Sequence, residues 1–291
     1  MGPFRWLIAW PLVVSCEARV SPASTGDTQA DEVTPDDTED RTTPPGVTTD
    51  TANDDTGAPK GPCPPGEALG AFEEVDGLLL IEAENSTAIG NGWHDVDADG
   101  VTYLEAQNDH LGNTNGDERL FELAIATPGL YRFHMKSVFT GNSSTDRNDS
   151  WFRLENADDV HYFASDGRLD STAAFEALRD GKANTPAIYY PGGNALDRPD
   201  FGEENPGRNG YFKLYRSGNG PNEWHGRTID NHGYIVYAYF ENPGTYELSL
   251  KERSEGHRID RFAFVHVEQV SSRIPEEELD GPESERRCEP Q

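Results

Sequence analysis

The chain has 291 residues, with 53 Asp and Glu against 24 Lys and Arg and a formal net charge of −29 at pH 7. So acidic a chain has no basic face with which to neutralise phosphates, which argues against nucleic-acid binding and points to divalent cations, or simply to a well-solvated surface. Its length accommodates one domain of ordinary size with terminal segments on either side.

The chain opens with Met-Gly-Pro-Phe-Arg, continues with an apolar run from Trp6 to Val14, and reaches Ser15-Cys16. This order predicts a signal peptide over residues 1–15. The run is too short for the roughly 20 residues of a membrane-spanning helix. Val13-Val14-Ser15-Cys16 resembles the lipobox of bacterial lipoproteins. That resemblance implies a lipid on the Cys16 thiol, a mature N-terminus at Cys16, and an outer-membrane or cell-surface location, Glu17 fitting the outer-membrane sorting pattern. The alternative is an ordinary signal peptide that happens to end in a cysteine.

Residues 16–62 are rich in Thr, Asp, Pro and Gly and poor in large apolar side chains. Such a segment buries too little apolar surface to offset chain entropy, so it is expected to be a disordered acidic tether. Of the remaining cysteines, Cys63 follows the tether and Cys288 lies near the chain end. In an exported protein they are expected to form a disulfide, worth roughly 3–5 kcal/mol by loop-closure entropy, which requires the first and last segments of the domain to lie side by side. Two free thiols are the other possibility.

Residues 63–291 then read as one all-β domain with an acidic C-terminal tail. Period-two alternation with β-branched and aromatic residues predicts strands at Leu78 to Glu82, Leu120 to Ile125, Tyr131 to Phe139, Trp151 to Leu154 and Val160 to Phe163. The pattern continues at Tyr211 to Tyr215, Tyr234 to Phe240, Tyr246 to Glu252 and Ile259 to Val267. Turn signals such as Thr127-Pro128-Gly129 and Asn242-Pro243-Gly244 separate them, so a β-sandwich is expected. One helix is predicted, Ser171 to Arg179, with Ser171 as N-cap and Gly181 as terminator. Ala183 to Asn209 is long, irregular and rich in Pro, Gly and Asn, a candidate for shaping a binding surface.

Several segments together resemble carbohydrate-binding modules of families 6 and 35: Leu80-Ile-Glu-Ala-Glu-Asn85, Pro128-Gly-Leu-Tyr-Arg-Phe133, Asn148-Asp-Ser-Trp-Phe152, and the series Val236 to Leu248 followed by Glu252 to Phe262. The resemblance runs from Gly77 to His266 and departs from the family in the long insertion between Phe163 and Tyr211. It implies a galactose-binding-like jelly roll that holds polysaccharide without catalysis.

Glu82 and Glu84, spaced by one residue on a strand, point to the same side, and calcium takes six to eight oxygens. The resemblance implies that they and Asp260 hold a structural calcium joining the first strand to the last. Asp95-Val-Asp-Ala-Asp-Gly100 is not an EF-hand, because Ala106 stands where the loop needs its bidentate acid, so an acidic turn is expected instead. Sugar recognition calls for flat aromatic faces on loops. Trp93 and Trp224 qualify, while Trp151 alternates with apolar neighbours and reads as core. The resemblance adds His257 as a polar contact, and Tyr189, Tyr190 and Asn194 of the insertion are placed as a cleft wall.

Gly-x-Ser-x-Gly, His-Glu-x-x-His and phosphate-loop motifs are absent, which argues against the common hydrolases. The expected function is glycan binding by a monomeric, membrane-anchored protein. A small glycoside hydrolase or lyase using Glu203, Glu204 or Glu223, and a protein-binding adhesin, are the alternatives.

Overall fold

The structure is a computed structural model that describes residues 70–141, 146–154, 159–191, 207–216, 222–228, 233–270, 274 and 276–287. The signal segment, Cys16, the tether, Cys63, Asn194, Glu203, Glu204 and Cys288 lie outside these residues. None of the helices among the described residues is long and apolar enough to cross a membrane.

In chain order the first strands are β1 (Ala71–Glu73), β2 (Leu78–Glu82), β3 (Thr87–Ile89), β4 (Trp93–Ala98), β5 (Val101–Ala106) and β6 (Glu118–Ile125). Then come β7 (Gly129–Phe139), β8 (Asp149–Leu154), β9 (Val160–Ser165), helix α1 (Thr172–Arg179), β10 (Ile188–Tyr189), β11 (Gly207–Arg208) and β12 (Tyr211–Tyr215). The chain closes with β13 (Glu223–His225), β14 (Arg227–Thr228), β15 (Tyr234–Phe240), β16 (Gly244–Glu252), β17 (His257–His266), α2 (Glu276–Leu279) and β18 (Arg286–Arg287). Every segment predicted to be a strand is one. The helix begins where its cap implied, with the Ser171 side chain accepting a hydrogen bond from the Ala174 N–H at 3.2 Å.

The strands form the two layers of an all-β sandwich. One layer runs β10-β9-β15-β7-β17-β2, with β13 continuing beside β7 and the β4–β5 hairpin attached to the start of β17. The other runs from β1 and β3 through β6-β16-β8-β12, and β14 pairs with both β12 and β15, joining the layers at one corner. Between them lies an aromatic core in which Phe121 of β6 meets Phe262 of β17 edge-to-face with centroids 4.6 Å apart.

The outer surface of the β7–β17 layer is also apolar, and two segments cover it. Helix α1 buries Phe175 and Leu178 against Phe163 and Tyr237, each contributing about 1.5–3 kcal/mol of burial. Leu279 of α2 packs on Leu80, Ala263 and Val265. Beyond α2 the chain follows the free edge of β2: Ser284 donates its N–H to the Leu80 carbonyl at 2.9 Å, and Glu283 accepts the Glu82 N–H at 3.0 Å. Residues 276–287 are thus part of the packed domain, where the sequence suggested an acidic tail, and they shield an edge strand that would otherwise be open for pairing. Arg287 of β18 pairs antiparallel with Ala71 of β1, so the two ends of the domain do lie side by side.

The stretch Asp95–Gly100 is the β4–β5 hairpin and its tip. Ala98 pairs with Val101, and the two residues between them, Asp99 and Gly100, have φ of 56° and 82°. That is the left-handed pair favoured by tight hairpins, and Gly100 carries the second position without a Cβ penalty.

Candidate functional site

Strand β17 carries a register shift against β7 between Ile259 and Arg261. Such a bulge re-aims the extra residue, here Asp260, and bends the strand. The Asp260 carbonyl accepts the Ala83 N–H at 2.9 Å, which fixes the chain leaving β2 beside the bulge and sets Glu84 next to it. The β4–β5 tip supplies a second wall and the C-terminal segment a third. Together they enclose a cleft of about 420 Å³ lined by Glu82, Glu84, Gly100, Val101, Thr102, Lys136, Asp260, Arg261 and Asp280.

The cleft is polar and unevenly satisfied. Lys136 donates to Asp280 at 2.6 Å and stands 3.8 Å from Asp260. Asn222 donates through Nδ2 to Asp260 Oδ2 at 2.6 Å. Arg261 pairs with Glu82 and donates to the carbonyls of Leu279 and Gly281 at 3.3 and 2.9 Å. Two oxygens in this neighbourhood, Glu84 Oε2 and Asn222 Oδ1, are buried without a hydrogen-bond partner. Burial, together with the nearby charges of Asp260, Glu283 and Asp95, raises the Glu84 carboxyl to about 7. Burial also raises Asp260, against the opposing pull of Asn222 and Lys136.

Trp224 lies beside this cleft on β13, opposite Lys136 of β7. Its indole N–H donates to Asp280 at 3.0 Å, the Lys136 ammonium is 5.9 Å from its ring, and its face packs partly against the cluster around Leu80 and Val265. The other expected sugar contacts lie elsewhere. Trp93 is the first residue of β4 and not a loop residue; it is 3 % exposed in the main core and donates its indole N–H to the Asp117 carbonyl at 3.0 Å. His257 is the first residue of β17, two before the inward-facing Ile259, so its ring enters the sandwich and meets Ser150 Oγ at 2.7 Å. Tyr190 packs over the α1 side, 6.2 Å from the rings of His161 and Phe163, and Tyr189 stacks on Tyr234 at 5.1 Å. The expected single rim of Trp93, Trp224, His257 and Tyr190 is therefore not formed: position parity turns two of these rings inward. Trp151 is 6 % exposed, on the outward parity of β8, with its N–H directed to the His110 carbonyl.

Of the expected calcium ligands, Glu84 and Asp260 share the cleft, while Glu82, at its wall, is held by Arg261. Among the described residues no group of three or more His, Cys, Asp or Glu side chains is gathered closely enough to hold a metal ion. Sequence reasoning missed Lys136, Thr102, Asn222 and Asp280. Only Lys136 left a trace, as the last of the polar residues Arg132, His134 and Lys136 that alternate with the apolar ones of β7.

No protein-family model matches the chain, and no curated protein matches its sequence. Solved structures do match. One is a GH26-CBM35 β-(1,4)-mannanase of Podospora anserina, at 13 % identity and a TM-score of 0.33, covering 69 % of this chain and 29 % of that one. Another is the C-terminal CBM6 of the laminarinase LamC of Zobellia galactanivorans, at 14 % identity and a TM-score of 0.33, covering 65 % of this chain and 98 % of that one. The chain thus spans under a third of the mannanase.

Proposed function

We propose that the domain is a non-catalytic carbohydrate-binding module that uses the cleft beside β17. The observation that carries this reading is the cleft's combination of size and chemistry. Its volume of about 420 Å³ lies in the range of small-ligand sites, its walls offer carboxylate acceptors, the Lys136 ammonium as donor and the Thr102 hydroxyl, which donates to Asp97 at 2.8 Å, as a further acceptor, and an indole stands at its side. A pyranose needs that mixture of rim hydrogen bonds and one apolar face.

Calcium fits the same corner. Glu84 Oε2 and Asn222 Oδ1 are oxygens without partners, next to the raised carboxyl of Asp260. A hard cation takes oxygen ligands of this kind, so Glu84, Asp260 and Asn222 would hold it, with Glu82 left to Arg261. Bound there, it would neutralise the carboxyls and stiffen the junction of β2 with β17. In the same proposal Cys16 carries a lipid anchor, residues 16–62 space the domain from a bacterial outer membrane, and Cys63 joins Cys288. The pairing of Ala71 with Arg287 supports that last link by bringing the two chain ends together.

A glycan array probed with the full chain, with and without EDTA, tests the reading. Trp224→Ala and Thr102→Ala are each expected to weaken retention by about tenfold, the worth of one stacking or hydrogen-bonding contact. A carboxyl raised to about 7 beside a second acid is also what acid–base hydrolysis employs. Release of reducing ends from the retained polysaccharide, abolished in Glu84→Gln, would replace the binding module by a hydrolase, and absence of any retained saccharide would end both readings.

A further inference from the structure

The interior of the sandwich changes character at one end. Along β7 the inward positions are Tyr131, Phe133 and Met135, and the next is Ser137, flanked by Glu223 of β13 and Ile259 of β17. The same change occurs on β8, β12, β13 and β17. Ser150 precedes Phe152 on β8, Arg216 follows Leu214 at the end of β12, His225 closes β13 and His257 opens β17. Ser137, Ser150 and His257 are fully buried, and Arg216 is 1 % exposed.

This polar end is under-bonded. Ser137 Oγ, His225 Nε2 and His257 Nε2 are all buried without a hydrogen-bond partner. Burial first, and then the Arg216 guanidinium, hold the His225 and His257 rings below the usual imidazole range, so both are neutral near pH 7. Among the described residues, the charged groups that act on them are Arg216 after β12, Arg227 of β14 and Glu223 of β13. Glu223 is half exposed, 3.9 Å from His225 Nε2, and the His225 side chain is itself 12 % exposed, which marks where the cluster meets solvent.

We propose that Ser137, Arg216, His225 and His257 form a binding site for an oxyanion, a sulfate, phosphate or carboxylate group entering past His225. A hydroxyl, two imidazoles and a guanidinium offer donors converging from four strands, and a group with three or four acceptor oxygens satisfies several of them together. Arg216 excludes a cation from the same place. The group comes either as a free inorganic ion or as the charged substituent of an acidic saccharide. The proposal does not rest on the glycan cleft, which lies outside the sandwich interior.

The test is thermal unfolding and histidine-detected NMR of the full chain at pH 6, in sodium sulfate against sodium chloride of equal ionic strength, with glucuronate against glucose as the second pair. Sulfate also stabilises proteins by exclusion from their surface, so the reading is the difference between variants. The wild type is expected to gain a few degrees more than Ser137→Ala or His225→Gln, and the His257 resonances are expected to move. Lys182→Ala, an exposed change on the α1 side, is expected to behave as wild type. Ser137→Ala removes only an unbonded hydroxyl and leaves the fold intact, whereas a change at His257 also removes its contact with Ser150. A larger response to glucuronate than to sulfate assigns the site to an acidic saccharide, and the reverse assigns it to a free ion. Equal gains in wild type and both variants, with unmoved His257 resonances, overturn the proposal.

Discussion

Two regions of this domain are each built around one glutamate and one tryptophan, and they work in opposite ways. Around Glu252, which is 1 % exposed, every oxygen is used: Oε1 accepts from the Gln107 and Asn108 N–H groups and from Asn108 Nδ2 at 3.0–3.1 Å, and Oε2 accepts from the Asp117 N–H at 3.1 Å. One carboxylate thereby ties both ends of the loop between β5 and β6, and Trp93 seals the layer behind it with its own N–H on the Asp117 carbonyl. Gly92 completes the closure, since a Cβ there would overlap the Glu252 carboxylate. Around Glu84 one oxygen has no partner, the neighbouring charges are mostly acidic, and Trp224 is only partly covered. A buried acid with a full set of donors is scaffold, whereas one left short of partners marks a place where something from outside is to be met.

The comparison can be broken most sharply at the tryptophans. Trp93→Ala empties a core site and is expected to cost about 3–5 kcal/mol in urea unfolding. Next comes Glu252→Ala, which strands four donors around a buried gap, with an expected loss of about 3 kcal/mol and fast amide exchange across residues 107–117. A rise in loop exchange without global loss would show the hydrogen bonds around Glu252 to be local to the loop.

Acid is expected to act on the two kinds of site in opposite directions. His257 is held at about 3 in the fold, so its contribution is whole above its unfolded value of 6.5 and is lost progressively as the pH falls toward 3. Glu84 runs the other way. Its raised carboxyl costs stability above pH 7 and costs nothing below about 4.5, so Glu84→Gln is expected to stabilise the protein by about 1 kcal/mol at pH 8, after allowance for its half-exposed position, and to be neutral at pH 4.5. Unfolding curves of both proteins across this range provide the check. A similarly small loss, about 1 kcal/mol, is expected for Trp224→Ala, which gives up one hydrogen bond and partial packing and whose larger consequence should appear in saccharide retention.

Much of the fold was legible because it follows from alternation. Phe121, Leu123 and Ile125 or Phe262 and Phe264 announce an inward face, and Ser171 announces a helix. The β4–β5 hairpin was not, because His94, Asp95 and Asp97 with Thr102 give no apolar face, and its place is set by pairing with β17 at Arg258 and Ile259. The site was legible only in part. Glu84 and Asp260 could be named from their motifs, but whether Trp93 or Trp224 faces solvent depends on which residue begins a strand and on what covers it. Trp93 in Asn91-Gly92-Trp93 and Trp224 in Asn222-Glu223-Trp224 look alike locally. Asp280 and Asn222 reach the cleft through tertiary packing, which short-range pattern does not encode.

Proton counting on calcium binding tests the central claim most directly. Calcium is titrated calorimetrically into the metal-free full chain at pH 7, in buffers of different ionisation enthalpy. With the Glu84 carboxyl near 7, about half a proton should leave for each ion bound, fading by pH 8.5 and vanishing in Glu84→Gln. Binding that releases no proton, or release that persists without the Glu84 carboxyl, would contradict the assignment of this cleft.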